Sequence, residues 1–135
     1  MSVGALAVGK LLLAALLAVA TLPSSASGAK TDDAVQKPMS FLVNIGHSPA
    51  SMRLLQAGIV LDYANEAAAA HFGAVRPKVM HHILLLLCDN EADAVLSVKG
   101  KLDLQERIGA SLNEVFGESR RTGVRDVFFT DFIVQ

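Results

Sequence analysis

The chain reads as an α+β domain in which a small, mostly antiparallel sheet is packed by helices. Three observations predict it. An apolar segment, Met39 to Ile45, and a longer one of period-2 patterning, Arg53 to Tyr63, are separated by the turn cluster Gly46-His47-Ser48-Pro49. A middle stretch from Asn65 to Val115 carries apolar residues at helical spacing. The last twelve residues, Val124 to Gln135, are rich in aromatic and β-branched side chains and hold three of the six phenylalanines.

The elements are justified in order. Residues 1–29 contain one charge, Lys10, then the run Leu11 to Leu22, Pro23, and the small residues Ser24 to Ala29. This is the layout of a secretory signal peptide, with Ser27 and Ala29 suited to cleavage before Lys30 and Ser24 and Ala26 to an earlier cut. The competing reading is a retained membrane anchor. An anchor needs roughly 20 apolar residues, and extending the 12-residue run back to Val3 places Lys10 near mid-span, at a cost of about 2.5–3.5 kcal/mol. Residues 30–38 are polar and aperiodic and read as a flexible lead. The domain itself spans residues 39–135, one module with a core of its own.

In the second strand Leu55, Ala57, Ile59, Leu61 and Tyr63 fall on one face, and Leu54, Gln56, Gly58, Val60 and Asp62 on the other. The short connection to the first strand predicts an antiparallel pair. Asn65 caps an alanine-rich helix through Phe72, with Gly73 as its stop. Pro77 suits a first helical turn, and Val79, Ile83, Leu86 and Leu87 predict a buried helix over 75–88, which buries Cys88 as well. Asp89-Asn90-Glu91 caps a short helix through Leu96. Gly100 introduces a longer helix with Leu104, Ile108, Leu112 and Val115 inward, and Gly117 ends it. Arg120 to Gly123 is a polar loop into the terminal strand, which is tied into the sheet because a terminal segment is ordered only when paired.

Charge and motif content exclude several functions. Past residue 29 there are 11 basic and 13 acidic side chains, and no basic block, so nucleic acid is not a partner. One cysteine cannot form an intramolecular disulfide. His81 and His82 lie about 100° apart on one helix, whereas paired helical ligands sit at i and i+4, so no metal site is expected. Asp89 to Asp93 begins like a calcium loop but has Ala94 at position six and Gly100 at position twelve. There is no nucleophile elbow or glycine-rich phosphate loop, so neither an enzyme nor a cofactor is expected.

The terminal strand is the candidate site. Asp126 and Asp131 flank its aromatic centre and arginines precede it, a pattern of apolar middle and polar rim. The residues selected are Arg125, Phe128, Phe129, Asp131 and Phe132. Strict alternation puts Phe128 and Phe132 on one face and Phe129 on the other, and the alternative reading is that all three fill the core.

The ending Asp126-Val127-Phe128-Phe129-Thr130-Asp131-Phe132-Ile133-Val134-Gln135 resembles that of the flagellar basal-body-associated protein FliL family. The upstream order agrees: a long strand, Arg53 to Tyr63; an Ala/Glu-rich helix, Glu66 to Ala70; a basic-Pro step, Arg76-Pro77, into Leu84 to Leu87; and Gly100-Lys101-Leu102 opening a further helix. The N-terminus departs from the short head and true membrane-spanning helix of that family. The resemblance implies a stomatin-like (SPFH-like) periplasmic domain on the bacterial inner membrane, self-associating into a ring or arc. It implies contact with the periplasmic region of the stator protein MotB at the basal body, and support for swimming, swarming and chemotaxis. A FliL-like periplasmic scaffolding or binding module with no motor role is the alternative.

Overall fold

The computed structural model describes residues 36–135. The export segment or anchor read at 1–29, and residues 30–35 of the lead, lie outside them. Residues 36–38 have no regular secondary structure. The elements then run β1 (Met39–Ile45), β2 (Arg53–Tyr63), α1 (Glu66–Ala74), α2 (Arg76–Cys88), α3 (Ala92–Leu96), α4 (Val98–Phe116) and β3 (Val124–Val134). The three strands form one antiparallel sheet in the order β1-β2-β3, as an α+β domain requires.

Alternation along β1 and β2 decides which face meets the helices. Met39, Phe41, Val43 and Ile45 of β1 and Leu55, Ala57, Ile59 and Leu61 of β2 are buried. Against them α2 lies on β1 and α4 on β3, presenting Val79, Ile83 and Leu87 from α2 and Leu104, Ile108 and Leu112 from α4. Each such side chain, fully buried, contributes on the order of 1.5–3 kcal/mol. Phe72 closes one end of this core, with Tyr63 and Phe116 rings at 5.4 and 5.1 Å.

Several sequence expectations are corrected. Gly73 does not stop α1, which continues to Ala74. The break comes from Pro77, which has no N–H to return to the carbonyl of Gly73. Cys88 is exposed, because the inward stripe of α2 ends at Leu87 and the next residue is turned by about 100°. Asn90 and Glu91 give α3 no side-chain cap; Asn90 instead turns back and donates to the carbonyls of Leu86 and Leu87. Helix α4 begins at Val98, with Ser97 as its cap accepting from Gly100 N–H at 2.9 Å. Val115 is 55% exposed, since the inward stripe runs on from Leu112 to Phe116 and takes Asn113 with it. Gly117, left-handed at φ 68°, ends the helix as expected.

The largest correction concerns β3. Pairing steps from Gly58↔Asp131 to Ile59↔Phe129, leaving Thr130 as an extra residue, and from Asp62↔Asp126 to Tyr63↔Val124, leaving Arg125 as another. Each is a bulge, and each inverts the alternation beyond it. Phe129 and Phe132 therefore share the helix-covered side, edge to face with centroids 5.0 Å apart, while Phe128 points the other way.

Candidate interaction surface

The helices cover one face of the sheet. On the other face the strand pairing aligns Leu42, Gln56 and Ile133 in one row, Val60 with Phe128 in another, and Asn44 with Leu54 in a third. Leu42 is 64%, Phe128 51% and Ile133 45% exposed. An antiparallel sheet commonly turns one face to water, but that face is ordinarily polar. Here five apolar side chains, Leu42, Leu54, Val60, Phe128 and Ile133, stand together on it.

Charge forms the rim. Asp62 and Asp126 face each other across β2 and β3, an arrangement that repels unless each carboxylate is compensated. Arg125, the bulged residue, takes Asp62 at 2.7 Å. Arg120, from the turn before β3, takes Asp126 at 3.1 Å. At mid-strand, Gly58 of β2 lies opposite Asp131. A Cβ there would collide with the Thr130 hydroxyl and lie 2.9 Å from Asp131 Oδ2, so glycine is what lets these polar side chains fold over the sheet.

Of the five residues chosen from sequence, Arg125, Phe128 and Asp131 are exposed on or beside this surface. Phe129 and Phe132 are not: both are half-buried against the core, and Lys101 Nζ of α4 sits 5.2 Å from the Phe132 ring centroid. Sequence reasoning missed Leu42, Leu54 and Ile133. Leu42 and Leu54 were legible as the off-phase apolar members of β1 and β2; Ile133 was not, because its direction depends on the bulge.

Beside the strand lies a groove of about 720 Å³ lined by α4 residues that include Leu102, Gly109 and Ala110 and by β3 residues that include Val127 and Phe128. The strand edge facing it is already blunted. Gln105 Nε2 donates to the Val127 carbonyl at 2.5 Å, and the two bulges twist the strand, both devices that discourage pairing with another strand. The interior offers no reactive group: the buried polar side chains among the described residues are Asn90 and Asn113, both hydrogen-bonded. His82 Nε2 is hydrogen-bonded to Ser111 Oγ at 2.7 Å, and no group of three His, Cys, Asp or Glu side chains among the described residues converges on a common point.

The domain thus presents an apolar sheet face within a charged rim. The model of the flagellar basal body-associated protein FliL family matches residues 35–135, and the chain belongs to that family. Its role is accordingly that of an accessory of the flagellar basal body, and the α+β architecture fits the fold that the sequence resemblance implied. No curated protein matches the chain.

Proposed function

We propose that this domain is a non-catalytic stator accessory, working on the periplasmic side of the inner membrane to support swimming, swarming and chemotaxis. In this reading copies associate into a ring or arc and engage the periplasmic region of MotB. Residues 1–29 bring the domain to that side as a signal peptide or an anchor. No helix of the described residues is long and apolar enough to cross a membrane, so any attachment rests on that segment or on a partner.

The observation that carries the reading is the uncovered apolar face around Leu42, Phe128 and Ile133 on a chain of this family. Exposed apolar groups clustered on one face mark association sites, and Arg125 and Asp131 supply the surrounding polar contacts. A partner binding only the engaged state of the stator shifts it by its differential affinity, with no chemistry required.

The test is a chromosomal Phe128→Lys, Ile133→Lys double substitution, scored for soft-agar swimming, surface swarming and filament number beside a clean deletion. Impaired motility with normal filaments in both strains supports the reading. Unchanged motility in the deletion, with any second family copy also removed, assigns the domain to a scaffold without a motor role. A deletion phenotype that the double substitution lacks moves the contact off this face.

A further inference from the structure

The turn between β1 and β2, residues 46–52, is held at the corner between α2 and α3 by side chains that the core and the sheet face do not use. Gly46 N–H donates to the Asn90 carbonyl at 2.8 Å. His47 donates its backbone N–H to Glu91 Oε1 at 3.1 Å, and its ring Nδ1 is hydrogen-bonded to that same oxygen. The other ring nitrogen, Nε2, faces Asp89 Oδ1 at 3.8 Å. From α4, Arg107 reaches the back of the same corner, 3.5 Å from Asp89 Oδ2, and donates to Asn90 Oδ1 at 3.1 Å.

One imidazole thus stands between two carboxylates, and the guanidinium behind them compensates Asp89 more than Glu91. The Ser51 hydroxyl stays within the turn, 3.0 Å from Ser48 Oγ. Arg53, at the start of β2, is turned away to the carbonyls of Ala50 and Met52. We propose that this node is a proton-operated latch: protonated His47 clamps the β1–β2 turn onto the α2–α3 corner through Glu91, and loss of that proton loosens the turn. The turn leads directly into Leu54 at one end of the open sheet face, so the latch sets the order of that end. It stands on its own geometry and does not depend on what the sheet face binds.

The direction of the effect follows from the two groups. His47 is raised above its ordinary 6.5, first by the hydrogen bond with Glu91 and its charge, then by Asp89. Its contribution is therefore complete below pH 6.5 and lost as pH rises through the raised value. Glu91 is lowered below its ordinary 4.5 by the hydrogen bonds from the His47 ring and backbone. That contribution is complete above pH 4.5 and lost as pH falls through the lowered value. The latch is closed between those limits and opens on either side.

The test is an NMR titration of the full-length chain from pH 4 to 9, following the His47 ring and the hydrogen-exchange protection of the Gly46 amide, corrected for intrinsic exchange. Protection of Gly46 is expected to fall roughly threefold between pH 6 and 8.5, the scale of an exposed ion pair, and less in high salt. Glu91→Gln, which retains the shape and loses the charge, is expected to bring His47 back toward 6.5 and to flatten the profile. His47→Gln is expected to flatten it as well. Protection independent of pH in the native chain, or a pH profile that survives Glu91→Gln, would overturn the proposal. Both substitutions are exposed and leave the core intact, so a folded spectrum is expected for each.

Discussion

Asn113 is buried in α4 and serves Val124 twice: its Nδ2 donates to the Val124 carbonyl and its Oδ1 accepts from the Val124 N–H, each at 2.8 Å. That pair of bonds fixes where β3 begins. Asn113→Ala leaves both backbone groups buried without partners, and we expect a loss of about 2–4 kcal/mol by urea denaturation. Nothing in the sequence marks Asn113, since an amide gives no apolar signal. Two glycines in helices make the complementary point. A Cβ at Gly100 would lie 2.8 Å from the carbonyl carbon of Ala94, whereas one at Gly73 meets no atom within 4 Å. Gly100→Ala is therefore expected to destabilise by about 1–3 kcal/mol through overpacking. Gly73→Ala should stabilise by about 0.5–1 kcal/mol through helix propensity. A thermal melt of the two variants checks the opposite signs. Both glycines read as helix boundaries in the sequence; in the fold one is a close approach and the other an ordinary helical residue.

At the scale of elements, the strands were legible almost to the residue because period-2 patterning is a local property. The bounds of β1 and β2 match the expected ones. What failed was parity in β3, where a one-residue bulge is invisible to composition and moves every later side chain to the opposite face. Deleting Thr130 tests this. With Thr130 removed, Phe129 and Asp131 become neighbours opposite Ile59 and Gly58, the pairing is regular, and Val127, Phe129, Phe132 and Val134 all keep the helix-covered side, so the unfolding midpoint in urea is expected to stay close to the parent's. A deletion variant much less stable than the parent would mean that the bulge carries energetic weight beyond setting the parity of β3. The helices were legible in number and order, while their ends were decided by caps and contacts: Ser97 for α4 and Pro77 between α1 and α2.

At the scale of the whole molecule, the division of labour between the two sheet faces is the organising fact. The inner face, with α2 and α4, carries stability; the outer face carries apolar side chains that the described fold does not need. Phe128→Lys with Ile133→Lys is thus expected to leave the melting temperature of the isolated protein close to the parent, while reducing its self-association in sedimentation. A large drop in melting temperature would place these residues in the core after all. The candidate surface was half legible: the sequence pointed to β3, but the surface is shared by three strands and its far members lie some 80 residues upstream. The His47 node was not legible at all. Its partners come from the β1–β2 turn, the α2–α3 corner and α4, and their meeting is a product of tertiary packing.

Cys88, exposed at the end of α2, is the chain's one cysteine and is followed directly by Asp89 of that node. The native sequence therefore already holds a single-site attachment point for a spectroscopic probe at the corner most responsive to protons. Maleimide coupling of a fluorophore or spin label there needs no cysteine engineering, and the same conjugate can follow the corner in dilute solution and in an assembled sample.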